Sequence, residues 1–177
     1  MCKLTENSFR DVNIAFANEL SIICEKQGID IWELIRLANR HPRVNILQPG
    51  AGVGGHCIAV DPWFIVSSVP AESRLIRVAR EVNDSKPGYV LKKIEKAIAN
   101  HLLCNPKKEK KDVIVACMGL AFKANIDDLR ESPALEIVLN LREIHPGKLL
   151  VVEPNIEKIP SNLEGRASLV AFALATN

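Results

Sequence analysis

Residues 49–62 read PGAGVGGHCIAVDP, in which four glycines within six positions run into His56 and Cys57, and Asp61 follows. Glycines let a backbone approach a ligand closely, and a thiol directly after them is presented to that ligand. Taken alone, Cys57 fits an inert buried cysteine better than a nucleophile. The segment therefore predicts an irregular loop with a candidate nucleophile in it, and the plainer alternative is a glycine-rich turn.

The glycines of this loop also satisfy the GxGxxG pattern of a dinucleotide site, and Glu72 lies about twenty residues further on. That fingerprint requires a buried strand before the glycines and a helix directly after them. Here Pro49 precedes the glycines, and Asp61 with Pro62 follows the cysteine. The context therefore argues against a Rossmann site at this position.

Helical periodicity flanks the loop on both sides. A first helix of about six turns is predicted to end at Gly28, and a second begins at Asp30 and ends before Pro42. No regular element is expected from 44 to 63. Helical spacing returns near Leu75 and runs to Leu102, with an interruption expected at 83–84. The apolar positions of the first helix are Val12, Phe16, Leu20 and Ile23.

The second half of the chain changes period. The run KKEKK at 107–111 is typical of a solvated connector. VIVACM at 113–118 and LLVV at 149–152 are typical of strands, and a helix is predicted to begin at Ser132. We therefore expect a helical domain at 1–105, a linker at 106–112 and a truncated α/β domain at 113–177.

Composition excludes several classes of partner. The chain has 177 residues and a formal net charge of +2, so neither nucleic acid nor a membrane surface is the expected partner. Five scattered cysteines show neither zinc-site spacing nor a disulfide framework, and no apolar run is long enough for a membrane span. These features predict a cytoplasmic protein with free thiols, no metal and a small-molecule partner.

Three motifs in the same order carry a resemblance to the UDP-glucose/GDP-mannose dehydrogenase family. They are KLTEN at 3–7, PGAGVGGHCIAVDP at 49–62 and GLAFKANIDDLRESPA at 119–134. The resemblance covers essentially the whole chain and is closest to the branch that oxidises UDP-N-acetylmannosamine. It implies a mostly α central dimerisation domain followed by a partial, Rossmann-like α/β domain that binds the nucleotide sugar.

The resemblance also implies a mechanism. The family oxidises the C6 alcohol of a UDP-sugar to the uronate with two NAD⁺, for surface polysaccharide synthesis, and its cysteine adds to the aldehyde. Cys57 matches that nucleophile, Lys3 and Asn7 match donors to a substrate oxygen, and Asp61 matches a general base or orienting acid. The plainer interpretations are an amphipathic polar face at Lys3, Asn7, Asp11 and Asn18, and an Asx turn at Asp61.

Binding residues follow from the same motifs. Gly54 matches a glycine whose backbone touches the sugar, Lys123 matches a substrate contact and Arg130 matches a cofactor contact. Their alternative is a pair of solvated cations. Arg43 resembles an arginine that the family supplies across its dimer interface. The spacing from Arg43 to Cys57 differs, however, from that in better-known branches of the family, and His41 lies nearer the position expected for the arginine. His56 has no implied role.

Three overall interpretations remain open at this point. The first is a homodimeric, NAD-dependent dehydrogenase fragment that lacks the N-terminal NAD domain and is inactive alone. The second is a non-catalytic helical dimerisation module. The third is an enzyme like 6-phosphogluconate dehydrogenase, which shares the helical middle and needs no thiol, so GGHCIAVD disfavours it.

Overall fold

The computed structural model describes residues 1–165 and 167–172, which form two compact units, Met1–Lys86 and Pro87–Asn177. The first unit is helical, and the second contains a small parallel sheet. The predicted fold class, a mostly α domain followed by a partial α/β domain, is therefore confirmed. None of the helices in the described residues is long and apolar enough to cross a membrane.

Helices α1 and α2 lie where the sequence predicts them. Helix α1 spans Cys2–Gln27 and ends at Gly28, whose φ of 69° is the left-handed geometry that glycine adopts without strain. Helix α2 spans Ile31–Ala38. Its N-cap, Asp30, accepts hydrogen bonds from the backbone N–H groups of Trp32 and Glu33 at 2.8 and 3.1 Å, so the predicted start is confirmed.

Helix α1 buries a polar face. Asp11 and Asn18 are fully buried, whereas Phe16 and Ile23 are 54% and 49% exposed. The alternative in which Asp11 and Asn18 belong to a solvated polar face is therefore wrong. The physical reason is that both side chains find hydrogen-bond partners on helix α4, Arg74–Cys104, which removes the cost of burying them.

Two sequence-based expectations in the middle of the chain are wrong. Helix α3 spans Asp61–Ser68, so the irregular region predicted for 44–63 ends earlier, because Pro62 is accommodated in the first turn of a helix. Helix α4 is continuous over Arg74–Cys104 with Pro87 inside it, and the interruption predicted at 83–84 is absent. Asn83 and Asp84 do not compete for the helix backbone because their side chains bond to Asp11 and Arg80 instead.

The second unit contains three parallel strands in the order β1-β2-β3: Val115–Met118, Leu149–Val152 and Ala167–Leu169. Helix α5, Pro133–Ile144, connects β1 to β2, and Ser132 caps it, as the sequence predicts. Single 3-10 turns occur at Lys110–Asp112 and Ser161–Leu163. The buried core of this unit comprises Leu120, Val138, Leu141, Leu149, Val151, Leu163 and Ala167.

Gly147 lies two residues before the start of strand β2, where there is no room for a side chain. A Cβ at this position would clash with the carbonyl oxygen of Val113 and lie 2.6 Å from Nε2 of His145. We expect Gly147→Ala to lower the free energy of unfolding by about 1–3 kcal/mol, because backbone must move to admit the methyl group. Urea unfolding of the chain measures this change.

Gly88 provides the matched control for this substitution. It lies inside helix α4, and a Cβ there meets nothing within 4 Å. Gly88→Ala should therefore stabilise the chain by roughly 0.5–1 kcal/mol, since alanine loses less backbone entropy in a helix. Equal stability of Gly147→Ala and the wild-type chain would contradict the steric argument.

Candidate active site

Lys3, Asn7 and Asp61 form a polar cluster where the start of α1 meets the start of α3. Lys3 and Asn7 are one helical turn apart and therefore lie on the same face of α1. Lys3 Nζ lies 3.2 Å from Asp61 Oδ2, and Asn7 Nδ2 donates to the same oxygen at 2.7 Å. The Asp61 side chain is 9% exposed and that of Lys3 is 68% exposed. The cluster is thus anchored inside the unit and open to solvent on the lysine side.

Both charged members of the cluster are held in their ionised forms. The hydrogen bond to Asp61 and the charge of Asp61 raise the pKa of Lys3, and the charge of the Cys57 thiolate adds to that rise. The hydrogen bond from Asn7 is the largest cause that lowers the pKa of Asp61, and Lys3 contributes further, against the opposing effect of burial. Near neutral pH the cluster is therefore an ammonium paired with a carboxylate.

Cys57 lies in the turn that leads into helix α3. Its carbonyl oxygen accepts the backbone N–H groups of Val60 and Asp61 at 3.2 and 2.8 Å, which fixes the cysteine relative to the carboxylate. Its side chain is exposed and interacts electrostatically with Lys3. The thiolate is the nucleophilic form of a cysteine, and the Lys3 ammonium lies beside this sulfur. The turn thus presents an accessible sulfur next to an ammonium group.

Two further residues that the sequence predicts for the site, Gly54 and Arg43, have no described contact with this cluster. Gly54 is half-buried in the stretch before Cys57. Arg43 is exposed and lines a cavity of about 390 Å³ with Phe9, Arg10 and Asn13 on α1. Cys57 is not among the residues that line this cavity.

The predicted substrate contact in the second unit, Lys123, lines a cavity at the carboxyl ends of the strands. This cavity measures about 900 Å³, and Gly119, Glu153 and Val170 also line it. Ligands of open parallel sheets bind at this edge. Lys123 Nζ lies 5.7 Å from the centre of the Phe122 ring, a distance that allows a cation–π contact. An ammonium group thus stands at the mouth of a ligand-sized cavity.

Arg130, the predicted cofactor contact, is not among the residues that line this cavity. Its guanidinium donates two hydrogen bonds to the carboxylate of Asp128, at 2.9 and 2.7 Å. The two residues therefore form a bidentate ion pair on the surface of the loop before α5.

Sequence reasoning missed Glu153, which lies directly after strand β2. Its Oε2 accepts the backbone N–H groups of Leu120 and Ala121 at 2.9 and 3.1 Å, in the loop that carries Lys123. Burial raises the pKa of Glu153, but these backbone hydrogen bonds outweigh burial and lower it overall. The signal was an acid immediately after an apolar strand, where parallel sheets place functional groups.

A second missed feature is a buried polar network between α1 and α4. It comprises an ion pair between Asp11 and Arg80, and Asn83 and Asn18, all at most 2% exposed. Asn83 Nδ2 donates to Asp11 Oδ1 at 2.8 Å, Asn18 Nδ2 donates to Asn83 Oδ1 at 2.9 Å, and Asn18 Oδ1 accepts the Gly50 N–H at 2.8 Å. The network thus reaches the start of the glycine loop.

The other cysteines differ chemically from Cys57. Cys24 is buried, and burial raises the pKa of Cys117 to about 11, so the Cys117 thiol stays protonated at neutral pH. Cys2 and Cys104 are exposed. Within the described part of the chain, no three histidine, cysteine or acidic side chains are grouped closely enough to hold a metal ion.

This fold, a helical domain followed by a parallel α/β unit, is shared with solved nucleotide-sugar dehydrogenases. A solved UDP-D-ManNAc dehydrogenase from Pyrococcus horikoshii has this fold, with a TM-score of 0.75 and 36% identity over 97% of this chain and 40% of that one. The central domain of the UDP-glucose/GDP-mannose dehydrogenase family matches residues 1–85, and the UDP-binding domain of that family matches residues 116–175. The chain belongs to this family.

Two curated relatives are similar along nearly the whole chain. A UDP-N-acetyl-D-mannosamine dehydrogenase from Salmonella typhi is 65% identical over 99% of this chain. An NDP-N-acetyl-D-galactosaminuronic acid dehydrogenase from Ralstonia solanacearum is 63% identical over 93% of it. The chain spans 41% and 37% of the lengths of these relatives.

Proposed function

We propose that this chain is the thiol-bearing and sugar-binding part of an NAD-dependent UDP-sugar 6-dehydrogenase that forms a uronate. The observation that carries the proposal is the exposed sulfur of Cys57 beside the Lys3 ammonium, which Asp61 holds in place. A non-catalytic dimerisation module has no need of a charged cluster next to an accessible thiol. The catalytic alternative is therefore preferred.

Cys57 is the nucleophile of the second oxidation. Hydride transfer needs a carbon that bears both a hydrogen and a hydroxyl group, and an aldehyde has no such hydroxyl group. The thiolate sulfur therefore adds to C6, and the carbonyl oxygen takes a proton to become a hydroxyl group. Loss of a hydride and a proton from this thiohemiacetal gives a thioester. Water then adds to the thioester carbonyl, the carbon–sulfur bond breaks, and the uronate and the Cys57 thiolate are released.

Lys3 and Asn7 stabilise negative charge on the substrate oxygen. An ammonium group has three N–H donors, so Lys3 can serve Asp61, the sulfur and a substrate oxygen together. Because its pKa is raised, it stays charged throughout the neutral range. Removal of one preorganised donor to an oxyanion typically costs about 3–4 kcal/mol of transition-state stabilisation.

Asp61 orients this machinery. Its lowered pKa makes it a poor base near neutral pH, so holding Lys3 and Asn7 fits its environment better than abstracting a proton. In this role Asp61 keeps the ammonium within reach of both the sulfur and C6. A water molecule that attacks the thioester would be oriented by the same carboxylate.

When bound, NAD would supply the redox chemistry of the proposed reaction as the hydride acceptor of both oxidations. The glycines at 50–55 do not fit a dinucleotide, because bends and turns surround them and the next helix begins only at Asp61. The NAD domain is therefore assigned to the part of the longer protein that this chain does not span. In this chain we assign Arg130 to contact NAD.

The proposed substrate is UDP-N-acetyl-D-mannosamine, supported by the names of the most similar relatives. Lys123, at the mouth of the strand-end cavity, is assigned to the substrate, as are Gly54 and Arg43. Both curated relatives carry an N-acetylated hexosamine in their names, so the acetamido group is the feature that the proposal shares with each.

We also propose that the helical unit forms a homodimer. Three large apolar side chains of α1 repeat every seven residues and stay exposed: Phe9 at 69%, Phe16 at 54% and Ile23 at 49%. Residues at this spacing lie along one face of a helix. Because Phe9 also lines the cavity that contains Arg43, a second copy on this face would cover the arginine.

The test of the proposed function uses the full-length protein with NAD⁺ and UDP-N-acetylmannosamine. We expect two NADH for each uronate formed, since an alcohol loses four electrons on becoming an acid. With UDP-N-acetylgalactosamine we expect kcat/KM to be at least about tenfold lower. If neither sugar supports NADH formation, the proposal is contradicted. If UDP-N-acetylgalactosamine is the better substrate, the proposed substrate changes to that sugar.

A further inference from the structure

The loop that carries Cys57 is held at both ends by side chains of one helix. At its end, Asp61 accepts a hydrogen bond from Asn7 at 2.7 Å. At its start, the N–H of Gly50 donates to Asn18 Oδ1 at 2.8 Å. Asn7 and Asn18 are eleven residues apart, which is about three helical turns and places them on the same side of α1. Two side chains on one side of helix α1 thus fix the positions of the two ends of the loop.

The orientation of the Asn18 amide is determined by its partners. The Gly50 N–H can only donate, so it must meet the Asn18 oxygen, and the Asn18 nitrogen then faces Asn83 Oδ1. At the other end of the network, the carboxylate of Asp11 can only accept, so it must meet the Asn83 nitrogen. The hydrogen bonds therefore run in one direction, from the loop amide to the carboxylate that Arg80 neutralises.

Burying such a network of charged and polar side chains costs desolvation free energy that an apolar core avoids. Burial raises the pKa of Asp11 even though Arg80 opposes that rise, and apolar side chains of similar size would be about as stable at these positions. An apolar core, however, offers no acceptor to the Gly50 amide. The distinctive property of the network is one fixed acceptor, directed at the first residue of the loop.

We propose that Asn18 is a positioning residue, which sets the location of the Cys57 loop relative to the Lys3–Asp61 cluster through its hydrogen bond to Gly50. The inference rests on the proposed function, in which the Cys57 sulfur must meet an aldehyde before that aldehyde leaves. If the start of the loop is released, capture of the aldehyde becomes slower while its formation continues. The aldehyde then escapes.

The experiment compares Asn18→Leu with Cys24→Ala in the full-length enzyme. Cys24 is buried on the same helix and lies outside the network, so its variant controls for a general loss of stability. For Asn18→Leu we expect kcat for uronate to fall at least about tenfold, KM for the sugar to change less than threefold, and free C6 aldehyde to be trapped by semicarbazide. For Cys24→Ala at a similar melting temperature we expect no aldehyde.

A second pair of variants acts from the loop side. Gly50→Pro removes the N–H donor without changing the core, whereas Gly50→Ala keeps the donor, and its Cβ meets only the carbonyl oxygen of Gly52 at 3.8 Å. We expect the proline variant to release aldehyde and the alanine variant to release much less. This pair stays informative if Asn18→Leu fails to fold.

Two outcomes separate the inference from the function on which it rests. If Cys57→Ser still forms uronate at the wild-type rate, the proposed function fails, whatever Asn18 does. If Cys57→Ser is inactive but Asn18→Leu and Gly50→Pro release no more aldehyde than their controls, the nucleophile stands and the positioning role of Asn18 is overturned.

Discussion

Uronate formation by the full-length enzyme should fall at least about a thousandfold when Cys57 is replaced by serine. A serine hydroxyl beside Lys3 stays protonated at neutral pH and adds to the aldehyde far more slowly than a thiolate does. The first oxidation does not need the sulfur, so a small amount of aldehyde and a single NADH should still form. Product analysis by chromatography and NADH absorbance together measure both effects.

Cys104→Ser is the matched control for this substitution. Cys104 is also exposed, but it lies at the end of helix α4 in the second unit and has no proposed role in the reaction. We expect this variant to keep wild-type turnover. Intact-mass measurement after rapid acid quenching should find a sugar nucleotide attached to the wild-type enzyme and none attached to Cys57→Ser. Unchanged uronate formation in Cys57→Ser would remove the covalent mechanism.

Much of the fold was predictable because it depends on short-range chemistry. Gly28 ends α1, Asp30 begins α2 and Ser132 begins α5 through backbone geometry and capping bonds that involve only nearby residues. The apolar runs at 113–118 and 149–152 contain strands β1 and β2. In each case the signal and the structure it determines lie within a few positions of each other.

What the sequence could not predict depends on partners that are distant along the chain. The continuity of α4 requires the Asn83 side chain to be occupied by Asp11, which is 72 residues away. Similarly, Asp11 and Asn18 resemble solvent-facing polar residues until Arg80 and Asn83 are known to face them. Hydrophobic periodicity located helix α1 but not its buried face, because the buried contact with α4 is polar.

The candidate site divides in the same way. The spacing of Lys3 and Asn7 predicted a shared helical face, and the structure brings both to Asp61. Glu153 and Asn18, by contrast, act on backbone amides of loops, which carry no side-chain pattern for a sequence to reveal. Their roles became visible only when the acceptors and the loop amides were seen together.

Arg80→Met should lower the free energy of unfolding of the chain by about 3–5 kcal/mol at pH 7, because it leaves the buried Asp11 carboxylate without its cation. Urea unfolding measures the loss. Arg36→Met is the control, since the Arg36–Glu33 pair is exposed and such pairs contribute at most about 1 kcal/mol. A loss as small as that of the control would mean that solvent reaches Asp11 in the folded chain.

The pH dependence of this loss provides a second check, because it follows from the direction of the Asp11 shift. Burial already raises the pKa of Asp11, and removing Arg80 takes away the charge and the hydrogen bond that oppose the rise. An acid whose folded pKa is raised stabilises the folded state most when it is protonated, below its unfolded pKa, and less as pH rises through the folded pKa. The deficit of Arg80→Met should therefore shrink between pH 7 and pH 4. The double variant Asp11→Leu/Arg80→Met lacks both the buried carboxylate and its cation. It should show a smaller deficit that is nearly independent of pH over that range.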